Sequence, residues 1–248
     1  MERYLITQTL LSSWGYTFDC WEGGEEKAMT DFKRTLAREK MKPPSATFNG
    51  IAFENACYAA ADNLPRPAAP EWMLDALKYP VERFRDFEGV TDAAEISKLV
   101  GKIKRTVYAA APPEWDRGVN AVASVLRGAQ FQVKVSAPLE VDGMAFVLHG
   151  VLDGLKAGTI FDVKFTNTKL GSMDAYGKYL ESPQHPAYFE LVPEAHTFQY
   201  LLSDGDDLYI ETYPRNQTCD IRKIISDFIR SITLMGLLDT YKARWQAL

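Results

Sequence analysis

Two apolar runs, Ala145 to Leu155 and Thr159 to Thr166, meet at Ala157-Gly158 and leave this chain few folds to choose from. Both are rich in β-branched and aromatic residues, and Gly143 and Gly158 punctuate them, so each reads as a strand. A two-residue loop favours a tight hairpin, which pairs Lys156 with Thr159. Counting outward from that pair sets Asp153 directly opposite Asp162. Directly opposed side chains share a face, with Cβ atoms roughly 4.5–5.5 Å apart. Lys164 lies two residues beyond Asp162 and joins them, because the strand period is two.

Two like charges directly opposed destabilise a strand pair, and desolvation adds to the cost. The flanks Val151, Leu152, Leu155, Ile160, Phe161, Val163 and Phe165 predict burial of at least one face. A divalent cation would offset that repulsion. Mg²⁺, with Mn²⁺ as a substitute, takes hard oxygen ligands, commonly one or two carboxylates plus waters and phosphate oxygens. Asp153 and Asp162 fit that role, with the backbone carbonyl of Val163 as a third oxygen. Lys164 would orient a water or stabilise negative charge on a phosphate.

The rest of the chain supplies a frame. Thr7 to Trp14 reads as a helix start with Thr7 or Thr9 as N-cap, Glu25 to Met41 as a second helix and Ser45 to Ala61 as a third. From Glu71 to about Arg127 the pattern is mostly helical, with turns at Gly89, Gly101 and Pro112-Pro113. Phe131, Val133 and Val135 alternate as in a half-buried strand. Glu194 to Ser203 reads as a helix, Leu208 to Tyr213 as a fourth strand, and Asp220 to Ala247 as a long amphipathic helix. The expectation is an α/β (α+β) fold: a central mixed sheet of about four strands flanked by helices, behind a helical N-terminal half. One domain spans 1–248, with 65–128 as a helical insertion.

The opening residues have no basic start or apolar run, and no stretch of about 18 apolar residues occurs, so a cytosolic chain with no membrane span is expected. Cys20, Cys57 and Cys219 are too few and too scattered for a disulfide framework or an iron–sulfur cluster. A net charge of −5, from 28 basic and 33 acidic residues, is not that of a protein that coats nucleic acid. Basic residues do cluster locally, at Lys33, Arg34, Arg38, Lys40 and Lys42, and again at Lys98, Lys102, Lys104 and Arg105.

Gly150-Val151-Leu152-Asp153, Ile160-Phe161-Asp162-Val163-Lys164 and the helix–three strands–helix–strand order around them resemble the PD-(D/E)XK nuclease superfamily, in its RecB-like and lambda-exonuclease-like branches. The resemblance implies a restriction-endonuclease-like core and a metal-dependent nuclease, in which Asp153 and Asp162 bind the metal and Lys164 assists catalysis. Asn49-Gly50-Ile51-Ala52-Phe53-Glu54 resembles the family helix that brings a Glu or His to the metal, which implicates Glu54. His196-Thr197-Phe198-Gln199-Tyr200 resembles the RecB-like glutamine motif, with Gln199 orienting the nucleophile or a phosphate.

The match departs from the family in places. Leu152 replaces the usual Pro before the first acid. Ser203 stands where the RecB-like pattern often has a Tyr four residues after the Gln. Lys169, Lys178 and Tyr200 are candidates for binding substrate, in and beside a loop that holds Tyr176, Tyr179 and Tyr188. The implied activity is hydrolysis of DNA, by an exonuclease of phage or mobile-element recombination and repair, with a homo-oligomer or a recombination protein as partner. The rival expectation is a catalytically silent nucleic-acid-binding or assembly module with the same fold.

Overall fold

A computed structural model describes residues 2–172 and 177–247; Tyr176 lies outside them. The chain opens on β1 (Arg3–Thr7) and runs directly into α1 (Gln8–Asp19), which Thr7 caps by accepting from the Leu10 N–H at 3.3 Å. Six helices follow: α2 (Glu25–Leu36), α3 (Ala46–Ala61), α4 (Glu71–Lys78), α5 (Pro80–Arg83), α6 (Ala93–Thr106) and α7 (Asp116–Leu126). Strands β2 (Gln130–Val141), β3 (Met144–Lys156) and β4 (Thr159–Phe165) come next, then α8 (Gln184–Leu191). Strands β5 (Thr197–Ser203) and β6 (Leu208–Pro214) and helices α9 (Ile221–Leu234) and α10 (Leu238–Arg244) complete the chain.

The result is a mixed α+β fold in which helices flank a central mixed sheet of six strands. Strand β3 is its hub. Antiparallel β2 follows one edge of β3 almost end to end. The other edge is divided: parallel β1 covers Ala145 to His149, and antiparallel β4 covers Gly154 to Lys156. Between them, residues 150–153 have no strand on that edge among the described residues. Beyond β4 the sheet continues through parallel β5 to antiparallel β6. The β3–β4 turn is the expected two-residue one, with both Ala157 (φ 47) and Gly158 (φ 74) left-handed, as a type I′ hairpin requires.

Each face of the sheet carries its own core. Leu148, Leu152, Ile160, Phe198 and Tyr200 pack with α1, α8 and α9 on one side. Phe161, Val163 and Leu201 pack with Phe53 and Cys57 of α3 and Val119, Val122 and Leu126 of α7 on the other. Helices α4 and α6 form a third, smaller cluster around Phe48 and Phe84. No helix of the described residues is long and apolar enough to cross a membrane.

Four expectations need correction. The sheet has six strands, not about four, because Arg3–Thr7 and Thr197–Ser203 are also strands. The segment read as a helix from Glu194 holds β5, and the helix lies earlier, at α8. The C-terminal helix is two helices, parted by Gly236 at φ 69. Gly101 lies inside α6 and makes no turn.

Candidate active site

A cleft of about 400 Å³ opens where the edge of β3 is uncovered. Glu54, Asp153, Asp162, Val163 and Lys164 line it together, joined by Gln184 and Tyr188 from α8 and by His149. The hairpin register holds for three pairs and stops one short of the two acids. At the next step the strands part, and Asp153 Oδ2 accepts the Val163 N–H at 3.0 Å in place of a backbone carbonyl. The carboxylate therefore reaches across toward β4 at the splayed edge.

Asp162 is buried, at 2% exposure, on the α8 face. Gln184 donates its amide to Oδ1. Lys164 Nζ pairs with Oδ2 at 2.6 Å. Glu54 arrives from α3, where its Oε1 accepts from Tyr58 Oη at 2.6 Å and Gln132 Nε2 at 2.9 Å. Three carboxylates thus share a poorly solvated cleft with one lysine.

The titration behaviour follows. Burial, then the charges of Asp162 and Glu54, hold Asp153 well above the usual carboxylate range. Burial and the charge of Asp162 push Glu54 the same way, against the bonds from Tyr58 and Gln132. Burial alone would lower Lys164, but Asp162 and Asp153 outweigh it and the ammonium is held more firmly than usual. Excess negative charge held apart from water, three carboxylates against one ammonium, suits a hard cation. Asp153, Asp162, Glu54 and the Val163 carbonyl are the oxygens available to hold one. Among the described residues no group of three or more acidic, imidazole or thiol side chains is placed to hold a metal ion by itself. Mg²⁺ does not need one, since it keeps several waters.

Other candidates fall elsewhere. Gln199 pairs with Phe161, so it faces away from Asp162, and its amide meets Thr212 Oγ1 at 3.3 Å. Tyr200 does share the Asp162 row, but it is fully buried under Tyr179, with ring centroids 4.1 Å apart, and cannot stack on a base. Lys169 lines a separate cavity of about 810 Å³ beyond the ends of β4 and β5, where Asp204 and Asp206 stand 3.7 and 3.8 Å from its ammonium. Lys178 is exposed, its ammonium 5.9 Å from the Tyr179 ring centre. His149 lines the cleft and shares a 2.8 Å hydrogen bond with Ser136.

Gln184 was missed in sequence, and Tyr188, read there as part of a loop, stands on α8. They stand four apart, the Gln-to-Tyr spacing that the region around Gln199 lacked. Gly150 makes room for them: a Cβ there would lie 2.6 Å from the Tyr188 ring and 2.9 Å from Leu191. With that approach open, Tyr188 Oη donates to the Val151 carbonyl at 2.8 Å.

No family model matches the chain, and no curated protein matches it. Five solved chains match it in structure. One, the crystal structure of SSO0001, is 12% identical over 75% of this chain and 84% of that one, with a TM-score of 0.37. A likeness that loose carries no argument.

Proposed function

We propose that this chain is a Mg²⁺-dependent deoxyribonuclease of the PD-(D/E)XK type, acting as an exonuclease in phage or mobile-element recombination and repair in the cytosol. One observation carries the reading: buried Asp162, gripped by Gln184 and Lys164, shares a cleft with Asp153 and Glu54. Such a cluster is costly to fold unless it serves to bind a cation. The exonuclease mode and the biological setting rest on the sequence resemblance.

Mg²⁺ or Mn²⁺ held by Asp153, Asp162, Glu54 and the Val163 carbonyl would supply Lewis acidity at the phosphate and lower the pKa of a water. The protein does the remainder. Lys164, kept cationic by Asp162 and Asp153, presents a fixed positive charge where the pentavalent phosphorus gathers negative charge. Gln184 fixes the rotation of the Asp162 carboxylate and leaves Oδ2 turned to Lys164. Tyr188, held by the Val151 carbonyl, walls the α8 side of the cleft. Exposed Lys178 beside Tyr179 offers a positive charge for the DNA backbone.

The test uses labelled single- and double-stranded DNA with Mg²⁺, Mn²⁺ or EDTA, and the Asp162→Ala variant alongside. Cleavage that requires metal and disappears in the variant supports the enzyme. DNA binding without cleavage under every metal would favour a catalytically silent binding module.

A further inference from the structure

Gln132 is a side-chain-bearing residue with φ 52, inside β2 two residues from its start. L residues other than Asn or Asp disfavour such a conformation, and it persists only where the surroundings impose it. The β2–β3 register runs unbroken on either side, pairing Phe131 with Gly154 and Val133 with Leu152, but it skips the pair Gln132–Asp153. No residue is inserted in either strand, so the two strands turn over together at this point. Before the kink Leu148 and Leu152 pack on the α8 side. After it Gly154 faces Leu126 and Phe161 on the α7 side. Asp153 lies at the turnover, which is why its carboxylate reaches along the sheet to the Val163 N–H rather than into either core.

The same kink sends the Gln132 side chain to α3. Its amide donates to Glu54 Oε1 at 2.9 Å and to Tyr58 Oη at 3.1 Å, while Tyr58 itself donates to Glu54 at 2.6 Å. Phe131 stacks on Tyr58 with centroids 4.7 Å apart and planes 26° apart, which fixes that hydroxyl. Glu54 Oε1 is thus held by two donors. Glu54 Oε2 accepts no hydrogen bond from the described residues.

We propose that Gln132 is a positioning residue for the cation site: its left-handed backbone turns Asp153 toward β4, and its amide, with Tyr58, aims Glu54 Oε2 at the same cation. The assignment rests on the reading of the cleft as a metal-dependent nuclease site. Groups that orient metal ligands in this way commonly change metal affinity or activity by roughly 10–100-fold when removed.

The experiment measures Mn²⁺ binding to the full chain from loss of the free-ion EPR signal, beside thermal melting and DNA cleavage. Gln132→Gly accepts the left-handed backbone but removes the amide. Gln132→Asn tolerates the same backbone and shortens the reach by one methylene. Both are expected to melt no lower than wild type, to bind Mn²⁺ roughly tenfold more weakly or worse, and to need correspondingly more Mn²⁺ for half-maximal cleavage. KM for DNA stays unchanged, which a general loss of structure would not allow. Tyr58→Phe, a change on an ordinary helical residue, shifts Mn²⁺ binding the same way. Wild-type Mn²⁺ affinity in any folded Gln132 variant overturns the assignment while leaving the nuclease reading intact. Failure of the wild-type protein to bind Mn²⁺, or binding that survives Asp162→Ala, overturns the reading of the cleft and this assignment with it.

Discussion

Gln184 donates its side-chain amide to Asp162 Oδ1 from a helix 22 residues further along the chain. Strand β4 carries the acid and the crossover to its parallel neighbour β5 carries the amide, so closing the β4–α8–β5 unit also completes the grip on the carboxylate. Replacing Gln184 by Leu keeps the volume and leaves a buried acidic oxygen without a donor. The expected cost is about 1–3 kcal/mol in chemical denaturation, with metal-dependent cleavage reduced tenfold or more. A folded Gln184→Leu protein that cleaves at the wild-type rate would remove Gln184 from the site.

The hairpin that brings Asp153 and Asp162 into one cleft stores a small strain at Ala157, whose φ is 47. Asn in its place gives the Asn-Gly pair that type I′ turns favour. The substitution should stabilise by about 1 kcal/mol, or roughly 2–4 °C in Tm for a chain of this size. Cleavage should not change. A lower Tm would mean that the turn is not what holds this register.

His185 reports on the layer beneath the site. Its ring is buried, stacks on Tyr213 at 4.3 Å, shares a 3.3 Å hydrogen bond with Tyr200 and has its pKa lowered to about 4 by burial. The native state therefore keeps a neutral ring where the unfolded chain would take up a proton. Its contribution is complete above the ordinary histidine pKa of about 6.5 and is lost as pH falls from there toward about 4. At roughly 1.4 kcal/mol per unit, the loss approaches about 3 kcal/mol at the acid end. Urea midpoints from pH 7 to 4.5 should fall more steeply for wild type than for His185→Phe. Parallel curves would refute the assignment.

What could be read from the sequence was whatever repeats at a recognisable period. Strands β2 to β4, helix α3 and the turn at Ala157-Gly158 each carry their own local signal, and Asp153, Asp162, Lys164 and Glu54 come with them. Strand β5 was missed because it is parallel to β4 and nearly buried throughout, with Tyr200, Leu201 and Leu202 in succession. A continuous apolar run of that length does not distinguish strand from buried helix. Helix α8 fails in the complementary way: seven of its eight residues are buried, so no polar face reveals its period. Misplacing that helix hid Gln184, whose amide meets Asp162, and singled out Gln199, which faces away from it. The kink at Gln132 had no sequence signal, since nothing local asks Gln for a positive φ.

A separate stability effect should come from the cation. Without it Asp153 is held above the ordinary carboxylate range, by burial and then by Asp162 and Glu54, so the native state binds more protons than the unfolded chain across that window. Metal-free protein then loses stability as pH rises through the window. Asp153→Asn removes the repelling charge yet keeps an oxygen to accept the Val163 N–H. In EDTA at pH 7.5 the variant should melt above wild type, and the gap should close as the pH approaches 4. Adding Mg²⁺ to 100 times its Kd stabilises a protein that binds it by about 2.7 kcal/mol. For this chain that is roughly 5–10 °C. Wild type should show that rise and Asp153→Asn little of it. An equal Mg²⁺ response in both proteins, or none in either, would place the cation somewhere other than this cleft.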